Sequence, residues 1–319
     1  GSVYVHGGNG DAAIEIADYS WGQIGHGGRS SAGSILNSDI TVRAGGGDVE
    51  VHAGHGYREL WAIIGHGGRD SRAEFWDGDI NVYAQNNISI RGTESAYNQG
   101  NNFGQIGHGG FDTDIQGDNN DAYNNGTTVT GQIDVVAATG DIILLAGVDN
   151  TSAASGGAGN FQYEGDLLTE TVTDSTAGTT SQGYIYGGGD LTSDANRRAQ
   201  GGHAAIGHGG QHNNLTVIDQ NLNVTAGNDL IVAAGEFRNA RAGIGHGGDI
   251  DAWGGNRSRR RTVLSGDIDV TVGDDMLVYA GSGDNASVKI GHGDYRTINE
   301  RNAVETGIDG RGRETRWEG

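Results

Sequence analysis

Six histidines at one position of a repeated pentapeptide are the residues of this sequence best suited to chemistry. Five follow the pattern Ile-Gly-His-Gly-Gly and the sixth lies in the variant Ile-Gly-His-Gly-Asp; they are His26, His66, His108, His208, His246 and His292. Imidazole binds transition metals and changes its charge near neutral pH. If consecutive repeats stack, the six rings form a column with a spacing of about 4.8 Å, which could hold metal ions.

The surroundings of these histidines favour a structural role over a metal site. Glycines flank every one of them, and no carboxylate recurs at a fixed distance to orient the rings. The simpler interpretation is a ladder of neutral, stacked rings that hydrogen-bond to the backbone at a corner, comparable to the asparagine ladders of stacked β-structures. Under the metal alternative, the sequence does not identify the ion.

Two further segments recur in phase with the pentapeptide, which we call segment c. Segments a and b alternate apolar and polar residues, which is typical of a strand with one buried face. Segment b follows a by eight or nine residues, and c closes each unit of about 40 residues. Segment a comprises Asp39–Ala44, Asp79–Ala84, Gln132–Ala137, Asn221–Ala226 and Asp267–Val272, and segment b comprises Val3–Gly8, Val49–Gly54, Ile88–Gly92, Ile142–Gly147, Leu230–Gly235 and Met276–Gly281.

This pattern predicts an all-β fold, a parallel β-solenoid of about six repeats with three short strands each. Each strand would pair with its counterpart in the next coil, so a narrow core suffices although only 34% of the residues are hydrophobic. The absence of proline agrees with this fold because every coil has to donate its backbone hydrogen bonds. Two alternatives stay open, namely a propeller with four strands per blade and a solenoid with two coils per repeat.

The predicted solenoid extends over residues 1–293 and contains one long link. Residues 148–203, rich in Gly, Ser, Thr and Asp, are predicted to be a loop insertion. Residues 294–319 form a C-terminal tail, in which Gly307-Ile308-Asp309 is a candidate for a degenerate last strand. The chain starts out of phase with a whole repeat, which is expected of a piece of a longer polypeptide or of a subunit that stacks head to tail.

Composition argues against several functional classes. A formal net charge of −21 and a pI of about 4.7 argue against nucleic acid as a partner, and no apolar run approaches the roughly 18 residues of a membrane span. Lys289 is the only lysine, and no pair of carboxylates departs from the repeat as a catalytic pair would, so we expect no enzyme activity. We expect no cofactor beyond incidental Ca²⁺ on surface aspartates.

The order Asp-Ile-x-Val-x-Ala, Val-x-Val-x-Ala-Gly and Ile-Gly-His-Gly-Gly resembles the repeat regions of large bacterial surface exoproteins, the filamentous-haemagglutinin-like and autotransporter-type adhesins. The resemblance covers roughly residues 3–147 and 200–292. It implies a right-handed β-helix exported to the cell surface or medium, where it acts as a fibre, stalk or adhesin.

Two functions from different classes follow from these observations. The first is a structural or adhesive extracellular fibre, whose expected partners are copies of the same chain and host or matrix glycans. The alternative is a carbohydrate-binding or carbohydrate-cleaving β-helix with its site in the 148–203 insertion.

Overall fold

The structure, a computed structural model, describes the strands of every repeat and the corners that join most of them. The described residues are 1–8, 20–31, 35–54, 60–71, 73, 75–93, 102–111, 127–148, 160–164, 167–174, 179–184, 202–210, 215–217, 219–235, 239–247, 262–280, 286–293 and 315–318.

Segments a and b form two parallel sheets, which we name sheets A and B, and a third parallel sheet, sheet C, contains the four residues that end at the isoleucine of each segment c. Sheet B contains Val3–His6, Val49–His52, Ile88–Thr93, Ile142–Val148, Leu230–Ala234 and Met276–Tyr279. Sheet C contains Trp21–Ile24, Trp61–Ile64, Phe103–Ile106, His203–Ile206, Arg241–Ile244 and Ser287–Ile290. Sheet A contains Ile40–Ala44, Ile80–Ala84, Ile133–Ala137, Leu222–Ala226 and Ile268–Val272.

Two further parallel sheets of short strands follow sheet C along the chain, sheet D in the first three coils and sheet E in all six, and the sequence pattern did not predict them. Sheet D contains Gly27–Arg29, Gly67–Arg69 and Gly109–Phe111. Sheet E contains Ile35–Asn37, Phe75–Asp77, Thr127–Thr130, Leu215–Val217, Thr262–Ser265 and Thr315–Glu318. The order of strands along each of the first three coils is therefore B, C, D, E and A.

The register between strands decides how many coils a repeat makes. Ile80 pairs with Ile40 on one side and with Ile133 on the other, and the neighbouring residues follow in step. Equivalent residues of consecutive repeats are thus adjacent, so each repeat is one coil of a parallel β-solenoid. The propeller and the solenoid with two coils per repeat are both wrong.

The c segment is a corner and not a strand over its whole length. The strand of sheet C ends at the isoleucine, and the next two residues, such as Gly25 and His26, make a bend before sheet D begins at the second glycine. The prediction of a strand was wrong at this point because the first glycine after the isoleucine has a positive φ, 144° at Gly25 and 148° at Gly107, which breaks the extended path of the chain.

The main hydrophobic core lies between sheets A, B and C. It consists of axial columns of isoleucine, valine, leucine and alanine, such as Ile80, Ile133 and Leu222 from sheet A. A smaller second core is formed by Trp76, Val129, Val217 and Leu264 of sheet E together with Ala73. The first core accounts for the period-2 pattern, whereas the second lies in the links that vary in length.

The insertion contains a three-stranded antiparallel sheet formed by Asn160–Glu164, Leu167–Asp174 and Thr179–Tyr184. In the C-terminal tail, Thr315–Glu318 pairs with Thr262–Ser265 of sheet E. The predicted last strand at residues 307–309 lies outside the described residues. Within the part of the chain that the structure describes, no helix has the length and hydropathy that a membrane crossing requires.

Glycines at the corner are required by both conformation and space. The φ angle of Gly107 is 148°, a conformation that other residues rarely adopt. A Cβ atom on Gly107 would overlap the carbonyl oxygen of Gly207 in the next coil. The same overlap recurs at Gly25, Gly65 and Gly207, so the pattern Gly-His-Gly reflects the close axial approach of consecutive backbones.

A Gly107→Ala substitution is expected to lower the free energy of unfolding by at least about 3 kcal/mol, because it adds strain at φ and a steric overlap that rigid neighbours cannot relieve. Gly45→Ala is the matched control, since no atom lies within 4 Å of its added Cβ. Denaturant unfolding followed by circular dichroism measures both. Equal stability of the two variants would contradict this account of the corner.

Candidate functional site

The structure brings the six predicted histidines together in one continuous stack. Neighbouring ring centroids are 4.7 to 5.0 Å apart, and the planes of neighbouring rings deviate by no more than 13°. His66, His108, His208 and His246 are buried, whereas His26 at one end is exposed and His292 at the other is half-buried. We call this stack the histidine ladder.

The five rings from His66 to His292 each accept a hydrogen bond from the preceding coil. The backbone N–H of one histidine donates to Nδ1 of the histidine in the next coil, as from His26 to His66 at 3.0 Å and from His66 to His108 at 2.9 Å. The same bond joins the remaining neighbours at 3.1 to 3.2 Å. The rings therefore continue the axial hydrogen bonding of the backbone through the corner.

The other ring nitrogen, Nε2, binds the same preceding coil at a second point. In His66 it lies 2.8 Å from the carbonyl oxygen of Ser38, and in His108 2.8 Å from that of Gly78. The corresponding carbonyls for His208, His246 and His292 belong to Gly131, Gln220 and Gly266, at 2.7 to 2.8 Å. Every acceptor stands two residues before a strand of sheet A.

These two partners determine the proton on the ring. A carbonyl oxygen only accepts, so Nε2 must carry the proton, and a backbone N–H only donates, so Nδ1 must be deprotonated. Five of the six rings, from His66 to His292, are thus neutral and in the Nε2–H tautomer. A metal could bind one of these five rings only after one of the two hydrogen bonds had been broken.

The electrostatic environment favours the same neutral state. Burial lowers the pKa of His108 to about 3 and that of His246 to about 4, and it outweighs the carbonyl hydrogen bond that acts in the opposite direction. Burial likewise lowers the pKa of His66, His208 and His292, and neighbouring histidines add to the effect in His66 and His208. A charged ring would be desolvated and would also face an N–H donor.

Each ring of the histidine ladder from His66 to His292 brings together two points of the preceding coil, the corner histidine and the residue two positions before sheet A. We call this closure the neck of the coil. The ring of His66 binds the N–H of His26 and the carbonyl of Ser38, which are 12 residues apart. The ring of His208 binds the equivalent groups of His108 and Gly131, which are 23 residues apart. The neck therefore keeps one geometry although the chain beyond it, which contains sheets D and E, varies in length.

Glutamine side chains reinforce the corner in two coils. The amide nitrogen of Gln23 donates to the carbonyl oxygen of Gly65 at 2.9 Å and to those of Gly67 and His26 at 3.2 Å. Gln105 makes the equivalent bonds to Gly207 at 3.1 Å and to Gly209. Carbonyl groups that the tight bend would leave without partners are satisfied in this way.

A second cluster, which the sequence pattern did not single out, lies on the outer face of sheet B. His6, Glu50 and His52 place their ligand atoms within 4.8 Å of one another. A signal for it was present, because Val3–Gly8 aligns with Val49–Gly54 and puts His6 and His52 at the same repeat position. The cluster was missed because Glu50 has no counterpart in the other repeats.

No family model, curated protein or solved structure matches this chain. The fold itself defines the class, a parallel β-solenoid of single-coil repeats with an internal histidine ladder.

The histidine ladder is expected to make stability depend on pH in one direction. The folded-state pKa of these rings lies below the ordinary value of about 6.5, so below that pH the unfolded chain binds protons that the folded chain does not. The free energy of unfolding should hardly change above about pH 7. Between about pH 6.5 and 4, His108 and His246 should each lower it by up to about 1.4 kcal/mol per pH unit, which denaturant titrations at a series of pH values measure.

His108→Asn isolates one ring of the ladder, with His26→Asn at the exposed end as control. At pH 7 the loss of stacking and of the bond to Gly78 should cost about 2–3 kcal/mol for His108→Asn and under about 1 kcal/mol for His26→Asn. The deficit of His108→Asn should shrink as the pH falls from 7 to 5, because the variant has one fewer neutral histidine to protonate. A deficit that stays constant with pH would contradict the assignment of a neutral ring.

Proposed function

We propose that this chain is a structural protein of an extracellular or cell-surface fibre, in which coils stack end to end into a filament that serves adhesion or matrix formation. The observation that carries the proposal is the open end of the core at the last complete coil. Met276 and Val278 belong to the axial columns of the main core, yet they are 49% and 46% exposed. Their counterparts one coil earlier, Leu230 and Val232, are fully buried.

A further coil stacked on this end of the solenoid would bury Met276 and Val278, in the same way as each coil buries the side chains of the coil before it. Burial of apolar surface is worth about 25 cal/mol for each Å² removed from water. The strands Ile268–Val272 and Met276–Tyr279 are the last of sheets A and B, so each also has an edge that no strand of the described residues pairs. Such an edge is a template for another strand.

The polar groups at the two ends of the histidine ladder are complementary. Among the described residues, nothing donates a hydrogen bond to the ring of His26, while the backbone N–H of His292 has no histidine ring below it. One end thus offers the acceptor and the other the donor of the bond that joins all intermediate coils. A second copy of the chain, or further coils of a longer polypeptide, would continue the ladder without a change of geometry.

The acidic surface agrees with a solvated fibre. With a net charge of −21, the chain repels polyanions and has a highly hydrated exterior. The extracellular location and the binding of glycans rest on the resemblance to bacterial surface exoproteins, and the head-to-tail contact rests on the end face described above.

Electron microscopy of the purified chain tests the proposal directly. We expect uniform filaments in negative stain, an axial repeat of about 29 Å per six-coil chain and a strong 4.8 Å reflection along the fibre axis. Monomers that bind or cleave glycans without forming fibres would instead support the alternative function.

Val278→Lys tests the contact at the end face. The added charge can reach solvent in the isolated chain but would be buried without a partner if another coil stacked on Val278, so filaments should be lost or shortened at unchanged protein concentration. Thr271→Lys places the same charge on an exposed outer position of the same coil and should assemble normally. Equal assembly of the two variants would contradict stacking through this face, and circular dichroism confirms that both remain folded.

A further inference from the structure

Parallel pairing of the first two strands of sheet B places two histidines side by side. Val3–His6 pairs with Val49–His52, so that His6 lies directly opposite His52. Glu50 precedes His52 by two residues and therefore projects from the same outer face, while Val51 between them faces the core. Three potential metal ligands thus converge on one patch of the solenoid wall.

The distances between these side chains approach those of a metal site. Oε2 of Glu50 lies 3.3 Å from Nε2 of His6 and 3.6 Å from Nδ1 of His52. An ion bound at about 2.1 Å to each ligand holds neighbouring ligand atoms about 3.0–3.4 Å apart. Small side-chain movements are therefore enough to complete the coordination.

The rings of His6 and His52 differ in how freely they can turn, and this decides which ring moves when an ion binds. They are stacked with centroids 5.0 Å apart and planes 11° apart, so their lone pairs run nearly parallel and one ring has to turn toward the other. The side chain of His6 is 46% exposed and has room to turn. That of His52 is 15% exposed, and its Nε2 lies 3.0 Å from the hydroxyl of Ser89.

The contact with Ser89 orients the ring of His52. In metal sites, a histidine is commonly oriented in this way, by a hydrogen bond from the ring nitrogen that does not bind the ion. When Nε2–H donates to the hydroxyl, the lone pair of Nδ1 points toward Glu50. Burial, the Arg91 guanidinium and His6 all lower the pKa of His52. Arg91 also opposes a bound cation, and the carboxylate of Glu50 offsets that charge.

The cluster departs from the repeat, unlike the histidine ladder. The outer column that begins with His6 and His52 continues in register with Arg91, Leu145, Ala233 and Tyr279. A column with a purely structural stacking role would be expected to keep one residue type, as the histidine ladder does. The combination of two imidazoles and a carboxylate is confined to the first two coils.

From this arrangement we propose that His6, Glu50 and His52 bind one divalent transition-metal ion of the zinc type on the outer face of sheet B. Two imidazoles and one carboxylate suit zinc, cobalt, nickel or copper ions better than Ca²⁺ or Mg²⁺, which prefer oxygen ligands. Exposure of His6 leaves the remaining coordination positions open to water or to a ligand atom from another molecule. The site is separate from the histidine ladder, in which both nitrogens of rings 66 to 292 are already hydrogen-bonded.

Calorimetric titration with Zn²⁺ and visible absorption with Co²⁺, both at pH 7.5, test this site. We expect one ion per chain, d–d bands with Co²⁺, and no competition from a large excess of Ca²⁺. His6→Ala and Glu50→Gln should each weaken Zn²⁺ binding by about tenfold or more. Both positions are on the outer face, and thermal unfolding of the metal-free variants verifies that the fold is kept.

His26→Ala is the matched control, because it removes an exposed histidine outside the cluster. Its affinity for Zn²⁺ should equal that of the unchanged chain. The proposal is overturned if the unchanged chain binds no Zn²⁺, or if His6→Ala and Glu50→Gln bind the ion as tightly as His26→Ala does. Filament formation is not involved in this test, so its outcome is independent of the proposed fibre.

Discussion

The structure depends on hydrogen bonds that run along the solenoid axis and must continue through every corner. In the strands the backbone supplies them, but at the bend after sheet C the backbone alone cannot. There the neutral rings of His66 to His292 supply the missing bonds, each accepting from one backbone N–H and donating to one carbonyl of the preceding coil. Two buried groups that would each cost about 1–3 kcal/mol if left without partners are satisfied by a single side chain.

This bond explains features that otherwise look unrelated. The glycines beside the histidines are needed because the bend gives them a positive φ, at which a Cβ atom would overlap a carbonyl oxygen of the next coil, as at Gly65 and Gly107. Closing the neck also separates the main core from the small core around Trp76. The links beyond the neck can then lengthen without disturbing the stacking of the coils. The low hydrophobic content is enough to form the core because each coil has to cover only the coils next to it.

The inward-facing columns of residues repeat from coil to coil, whereas the outward-facing columns vary, and this difference gives them different roles. Inward columns keep their residue type so that any coil can stack on any other, which supports a fibre built by coil addition. Outward columns are free to vary, and at His6, Glu50 and His52 this freedom produces a group of ligands where a regular column would not. The first property concerns assembly, whereas the second would give the first two coils of each chain a local chemistry.

The sequence by itself predicted the strands of sheets A and B, because a period of two residues marks a strand with one buried face, and their recurrence in phase favoured stacked coils. That each repeat makes a single coil was decided only by the register between strands. It also identified the histidines as one column. Tertiary structure alone decided the rest. Strands as short as Phe75–Asp77 carry too few residues for a periodic signal, and the tautomer of His108 depends on Gly78, a partner 30 residues away. Likewise, Glu50 meets His6 only through the register of two distant strands, because through-space contacts are set by pairing between coils and not by neighbours along the chain.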